Sequence, residues 1–151
     1  SEGHDFEHID KVMKSYGWPM GPAELCDLVG LDIIHHGSQS MAQSYDHVDM
    51  ADESPCEALY KKEALGQKTQ AGFYNWSGTK RRGKFAESGT IKEVPHIIEE
   101  RLMSPMKEEA GRLLEEQIVS HPYEINVALI FGAGFPPFKG GLVHVEEFLN
   151  S

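Results

Sequence analysis

GWPMGPAELCDLVG, residues Gly17–Gly30, is the stretch on which the fold turns. A glycine, an aromatic and a proline are followed by a second Gly-Pro pair that opens onto an amphipathic run. Glycine can take positive φ at a helix C-terminus, and proline fixes φ near −65° while donating no backbone hydrogen bond. Gly17, Trp18, Pro19, Gly21 and Pro22 therefore predict a short rigid elbow between two helices. A near-copy, GFPPFKGGLVHVEEF, runs from Gly134 to Phe148 and supplies Gly134, Phe135, Pro136, Pro137, Gly140 and Gly141. Gly17 and Gly134 are expected to hold positive φ or to sit against a neighbouring backbone, with Trp18 and Phe135 each filling an apolar hollow. Two elbows in 151 residues point to a duplication.

Outward from the first elbow, Phe6, Ile9, Val12, Met13 and Tyr16 recur at helical spacing, with Asp5 placed to cap the first turn. Pro22 fits the first position of a helix reaching Val29, which Gly30 ends. Leu31, Ile34, Ser38, Met41 and Tyr45 share one face of a third helix, and the polar stretch Asp46 to Glu53 reads as a loop. Ser54, Pro55 and Glu57 form a capping-box start for a helix through Ala58 to Leu65, closed by Gly66. LGQKTQAGFYNW then predicts a short extended segment around residues 72–76. SGTKRRGKFAESGT, Ser77 to Thr90, reads as a flexible loop and as the boundary between the copies. Beyond it, Pro95 opens a long pattern carrying Ile98, Leu102, Met106, Ala110, Leu113, Leu114 and Ile118. Pro105 lies inside that pattern and predicts a kink or two abutting helices. A last helix runs from Pro122 through Phe131 into the second elbow.

Aligned by hand, Ile9-Asp10 falls on Ile125-Asn126 and Gly-Trp-Pro on Gly-Phe-Pro. The first copy is one residue shorter in the helix before its elbow. The second has two extra residues inside the elbow, Pro137-Phe138-Lys139 standing against Met20. The expected fold is all-α: two tandem helical copies packed together, residues 1–88 and 89–151, with at most a short β segment near 72–76.

Composition narrows the function classes. A formal charge of −10 argues against nucleic-acid binding, which needs a basic face. No apolar run approaches the ~20 residues that cross a bilayer. Cys26 and Cys56 lack CxxC spacing and read as reduced thiols, which favours a reducing intracellular compartment. His4/His8 and His35/His36 lack the third and fourth convergent ligands that a zinc site requires, so they read as surface residues. Lys80, Arg81, Arg82 and Lys84 could attract a phosphate, but no helix N-terminus fixes an anion there, and a solvated loop is the plainer reading. GxGxxG, GxxxxGK[ST] and GxSxG are absent. No catalytic, cofactor-binding or metal-ligating residue is assigned to this chain.

The residues carry further than their spacing. DFEHIDKVMKSYGWPMGPAELCDLVGLD with LGQKTQAGFYNW resembles the C-terminal domain of the 3-hydroxyacyl-CoA dehydrogenases. LMSPMKEEAGRLLEEQIVSHPYEINVALIFGAGFPPFKGG resembles the second copy of that domain found in multifunctional α subunits of fatty-acid β-oxidation. In the family's LGxKxGxGFY pattern, Gln70 stands where glycine is usual. The resemblance implies a parent enzyme that passes a hydride from an L-3-hydroxyacyl-CoA to NAD. Its catalytic histidine, the glutamate partner and the NAD-binding Rossmann domain lie outside this chain. The substrate-contacting asparagine falls upstream of Ser1, and near Glu100 in the second copy. The implied partners are acyl-CoA through the parent enzyme, the parent's own Rossmann domain, and a second copy in a homodimer. The implied compartment is a bacterial cytoplasm, or a mitochondrial or peroxisomal matrix. A non-catalytic helical binding or dimerisation module is the alternative. A surface left bare would include Phe6, Trp18, Met20, Phe135 and Phe138, and would favour self-association.

Overall fold

Asp5 starts the first helix as a side-chain cap. Its Oδ1 accepts hydrogen bonds from the amides of Glu7 (3.0 Å) and His8 (3.4 Å), satisfying two donors that no helical carbonyl can reach. Helix α1 then spans Phe6–Tyr16. Gly17, at φ 125°, ends it. The Gly17 amide donates to the Lys14 carbonyl (3.1 Å) and the Trp18 amide to that of Met13 (3.2 Å), the paired bonds of a Schellman motif. In this computed structural model, residues 2–46 and 54–143 are described.

Helix α2 covers Pro22–Val29 with proline in its first turn, and Gly30 at φ 102° separates it from α3, Leu31–Ser44. Leu31 is fully buried, while Met41 and Tyr45, expected on the same face, are exposed. Ser54 Oγ accepts from the Glu57 amide (3.1 Å), as a capping box requires, and α4 spans Pro55–Lys61. This helix stops four residues before the expected Leu65. Glu63 takes φ 57°, its amide donates to Tyr60, and the Ala64 amide donates to Leu59. That is another Schellman stop, here with a non-glycine residue in the left-handed position. The loop read over Asp46 to Glu53 lies, from residue 47 onward, outside the described residues.

The chain is mostly helical and has the short β segment expected near 72–76, but the flexible loop expected at 77–90 needs correction. Strand β1, Tyr74–Ser77, pairs antiparallel with β2, Lys80–Lys84, in the register Tyr74↔Lys84, Trp76↔Arg81 and Ser77↔Lys80. Gly78, at φ 61°, supplies the positive φ that a two-residue hairpin turn demands. Two of the four basic residues that suggested solvent, Arg81 and Lys84, have partners instead. Lys84 Nζ reaches Asp5 Oδ1 at 2.7 Å, and the Arg81 guanidinium lies 4.4 Å from the centre of the Tyr74 ring. Farther on, the Asp5 amide donates to Ile91 (2.9 Å) and the Ile91 amide to Gly3 (3.1 Å), tying the far end of this stretch down as well.

Helix α5 spans Pro95–Glu115 and runs through Pro105 as a single helix rather than two. Gln117, at φ 57°, closes it with the same paired bonds, Gln117 to Leu114 and Ile118 to Leu113. Helix α6, Pro122–Ala128, ends earlier than expected because Leu129–Ala133 forms a π turn leading to Gly134 at φ 74°. Short 3₁₀ turns cover Gln67–Thr69 and Pro137–Lys139.

These elements form two compact units, Ser1–Asp10 with Met20–Lys92, and Lys11–Pro19 with Glu93–Ser151. The first has a core of Ala23, Leu31, Leu59, Ala64, Phe73, Tyr74 and Trp76. The second buries Val12, Met13, Ile98, Met103, Ala110, Ile125 and Phe135. Among the described residues no helix is long and apolar enough to cross a membrane.

Candidate functional site

The elbow residues are held by polar side chains that the sequence reading passed over. In the first unit the organising groups are two buried aspartates, each 1% exposed: Asp10 on α1 and Asp27 on α2. Asp10 accepts from the amides of Ala23 (2.8 Å) and Glu24 (3.1 Å), and from the Tyr74 hydroxyl (2.7 Å). It therefore caps α2 from another helix, because Gly21 at the N-cap has no side chain to do so. Gly21 must be glycine: a Cβ there would overlap the Cα, Cβ and Cγ of Asp10. Burial pushes the Asp10 carboxyl above its ordinary 3.8, against the opposing pull of the Tyr74 hydroxyl and the two amides. Burial and the bond to Asp10 also push the Tyr74 phenol up, so it remains a proton donor. Arg81 stands 3.5 Å from Glu24 and 4.0 Å from Asp10, placing positive charge beside the buried acid.

Asp27 does the same for LGQKTQAGFYNW. Its carboxylate accepts from the amides of Phe73 (2.7 Å) and Tyr74 (2.9 Å) and from the Trp76 indole N–H (2.9 Å). Gly66 and Gly72 lie so close to Asp27 that a Cβ on either would overlap it. Gln70 takes φ 61°, ψ 10°, the left-handed conformation that glycine adopts at no cost. Its side chain anchors the turn, Nε2 donating to Gln67 (2.6 Å) and Oε1 accepting from the Gly78 amide (2.7 Å).

In the second unit Asn126 occupies the comparable place on α6. Its Nδ2 donates to the Val143 carbonyl (2.8 Å) and its Oδ1 accepts from the Val143 amide (3.0 Å). A Cβ on Gly141 would overlap the Asn126 amide, as one on Gly21 would overlap Asp10. Trp18 and Phe135 meet edge to face with centroids 5.4 Å apart, and Phe135 is 1% exposed. Pro136 is buried too, while Pro137 starts the 3₁₀ turn that Gly140, at φ 79°, ends. Lys139 sits 4.1 Å from the centre of the Tyr16 ring. A Cβ on Gly134 would meet only Pro19, at ordinary van der Waals distance, 3.6 Å from Pro19 Cγ. Residues His144–Phe148 of the second elbow stretch lie outside the described residues.

The expected bare apolar surface needs correction. Of Phe6, Trp18, Met20, Phe135 and Phe138, only Phe138 is exposed, at 74%. Phe6 instead packs edge-on against Phe73 and Tyr74, both at 5.3 Å. Among the described residues the most exposed aromatic is Phe131, 85% exposed on the π turn.

Chemically, these groups fix backbone geometry. The Asp10 and Asp27 carboxylates are directed at amides, a phenol and an indole of the chain itself. Among the described residues no three histidine, cysteine, aspartate or glutamate side chains converge as metal ligands. A signal for the aspartates did exist. Asp10 lies one turn beyond Phe6 on the apolar face of α1, and Asp27 lies midway between buried Ala23 and Leu31. An acid at a core position facing a Gly-Pro helix start predicts a cap supplied from another element.

A family model described as "3-hydroxyacyl-CoA dehydrogenase, C-terminal domain" matches residues 1–76. The fatty acid oxidation complex subunit alpha of Pseudomonas putida is 41% identical, over 99% of this chain and 23% of that protein. The subunit of the same name from Psychrobacter arcticus is also 41% identical, over 93% of this chain and 22% of its own length. This chain thus spans about a quarter of the length of the curated relatives it matches. The dehydrogenase part of multifunctional enzyme 1 from C. elegans shares the fold at a TM-score of 0.66 and 20% identity, over 86% of this chain and 31% of that one. The match over residues 1–76 takes in the first elbow, both buried aspartates and the Gly66–Trp76 turn, and by it the chain belongs to the 3-hydroxyacyl-CoA dehydrogenase C-terminal domain family.

Proposed function

We propose that this chain is the helical substrate-domain and assembly portion of an NAD-dependent L-3-hydroxyacyl-CoA dehydrogenase of fatty-acid β-oxidation. The observation that carries the proposal is the 41% identity to fatty acid oxidation complex alpha subunits across 99% of the chain. Hydride transfer requires the acyl C3 and the nicotinamide in near-attack geometry, and a body braced by buried caps is suited to holding a cleft wall in place. NAD supplies the hydride acceptor, and the described residues do not fit it. β1 and β2 form an antiparallel hairpin, and Gly66 and Gly72 close onto Asp27 rather than opening onto a phosphate. On this reading the dinucleotide site, the catalytic histidine and its glutamate partner belong to another part of the parent enzyme.

Two tandem copies, residues 1–88 and 89–151, are part of the same proposal. Asp10 with Gly21 and Ala23 has its counterpart in Asn126 with Gly141 and Val143. On that equivalence the second elbow carries three extra residues rather than two. The extra residue in the preceding helix falls at the π turn Leu129–Ala133, the form that a one-residue helix insertion takes. The eleven elbow glycines, prolines and aromatics named from the sequence act as structural residues. The parent's own Rossmann domain, and in a homodimer a second copy, are the proposed partners. A reducing intracellular compartment suits two free thiols.

The test compares this chain with the longer protein that carries it. NADH production from an L-3-hydroxyacyl-CoA is expected from the longer protein and from no preparation of the isolated chain. Turnover that stays with the isolated chain through repurification would overturn the assignment, as would a longer protein inert toward 3-hydroxyacyl-CoA.

A further inference from the structure

Helix α6 and the π turn after it leave a line of apolar side chains in solvent. Tyr123 (56% exposed), Val127 (50%) and Phe131 (85%) stand four residues apart, while Ile125 on the other side of the helix is buried. Residues four apart on an α-helix drift by about 40° around its axis, and the wider π turn takes up much of that drift, bringing Phe131 back over Val127. Helix α1 carries the same positions with other chemistry. Counted from the alignment of Ile9-Asp10 with Ile125-Asn126, its stripe reads Glu7, Lys11 and Ser15, all polar. One residue shorter, α1 also makes no π turn. The apolar stripe and the insertion that straightens it thus occur together, in one copy only.

Charge gives this face a sign. From Ile125 to Phe138 no residue is charged, and between Arg112 and Lys139 the chain carries Glu115, Glu116 and Glu124 but no lysine or arginine. Glu115 and Glu116 are exposed where α5 ends, close in sequence to Ile118, itself 66% exposed. An apolar stripe with an acidic edge is complementary to an apolar surface rimmed by basic residues. We propose that the Tyr123–Val127–Phe131 stripe docks another part of the parent polypeptide, through an apolar face edged with lysine or arginine. The proposal rests on the reading of this chain as one portion of a longer enzyme. The Pseudomonas putida subunit matches over only 23% of its length, so most of such a protein lies outside these residues. A second copy is the poorer occupant, since its own stripe brings Glu115, Glu116 and Glu124 again and no cation to answer them.

Hydroxyl-radical footprinting of the 151-residue chain and of the longer protein, read by mass spectrometry at Tyr123 and Phe131, tests this. Both rings should oxidise readily in the isolated chain at every concentration, and should lose most of that label in the longer protein. Glu115→Lys with Glu116→Lys should restore part of the label there, by turning the acidic edge basic. Exchanging the stripe for its first-copy counterparts, Tyr123→Glu, Val127→Lys and Phe131→Ser, should leave the melting temperature of the isolated chain unchanged and lower that of the longer protein. Equal labelling of the rings in both proteins would overturn the proposal, as would protection that survives the charge reversal. So would protection in the isolated chain that grows with its concentration, which would make a second copy the occupant. An equal loss of stability from the triple variant in both proteins would make the stripe part of the core. NADH production is read separately. A longer protein that shields the stripe but is inert toward 3-hydroxyacyl-CoA removes the proposed activity and leaves the docking face; an active one with a bare stripe does the reverse.

Discussion

The two elbows solve one problem with different chemistry. Each must hold the segment after a Gly-Gly or Gly-Pro turn against the helix before it, and each uses a short polar side chain facing a glycine. In the first unit that side chain is Asp10, an acceptor for two amides and a phenol. In the second it is Asn126, which both donates to and accepts from one residue, Val143. The aspartate faces an array of donors, as at a helix start; the asparagine pairs with the N–H and the C=O of one residue, as in a β-bridge. The side chain thus follows the donor and acceptor pattern of the backbone it meets.

Alanine at the two facing glycines tests this most severely. Gly21→Ala drives a methyl group into the backbone of Asp10, which no rotamer change relieves. A loss of about 3 kcal/mol or more is expected in urea melts. Gly141→Ala meets only the Asn126 amide, but at φ 104° the backbone itself is strained. It should cost about 2 kcal/mol, part of it from lost Asn126–Val143 bonds. The order reverses only if Gly21 does not lie against α1.

Exchanging the side chains is the next test. Asp10→Asn turns an amide N–H₂ toward groups that are themselves donors, and should cost about 1–3 kcal/mol. Asn126→Asp sets a carboxylate oxygen against the Val143 carbonyl, with a loss of similar size at neutral pH. Its loss should shrink as the pH falls below the carboxylate range, because a protonated acid regains the missing donor. A deficit that ignores pH would mean that Asn126 does not need its donor.

Acid separates the units in another way. Burial alone would raise the Asp5 carboxyl, but bonds from Lys84, Ser88 and the amides of Glu7 and His8 outweigh it and hold its pKa at about 2, from an ordinary 3.8. A lowered folded value means stability that is present above 3.8 and lost as the pH falls through about 2. The gap between the parent chain and Asp5→Asn should therefore be constant from neutral pH to about 4 and close below it. A gap that persists at pH 2 would place the stabilisation elsewhere.

Effects of similar or smaller size lie at the elbow tips. Gly17, at φ 125°, has Phe138 and Pro136 against it, with Pro136 Cβ 3.0 Å from where a Cβ would stand. Gly134 sits at φ 74°, where a Cβ would make only ordinary van der Waals contact with Pro19. Gly17→Ala should cost about 2 kcal/mol and Gly134→Ala about 1 kcal/mol. Phe138→Ser, at a largely exposed ring, should fall within about 0.5 kcal/mol of the parent.

The helices were legible because their boundaries are written in local chemistry. Pro22 and Gly30 bracket α2, Ser54 and Glu57 start α4, and Asp5 caps α1. Stops at Glu63 and Gln117 were not legible, since neither residue favours the left-handed conformation by itself and only tertiary packing places it there. The β2 strand was hidden for a similar reason. KRRGK carries no apolar alternation, and its pairing depends on Asp5, Glu24 and Tyr74, distant in sequence. The elbow glycines could be named, but their most important neighbours could not. Asp10 and Asp27 stand out only by their core positions, and the amides they cap lie 13 to 47 residues away in sequence.

The central claim is that Asp10 and Asn126 do equivalent work in separate units, and amide hydrogen exchange followed by NMR tests it most directly. In Asp10→Ala the amides of Ala23 and Glu24 should exchange faster while that of Val143 keeps its parent rate. In Asn126→Ala the pattern should invert, with Val143 exposed and Ala23 and Glu24 unchanged. Unaltered exchange at the capped amides in either variant would contradict the account.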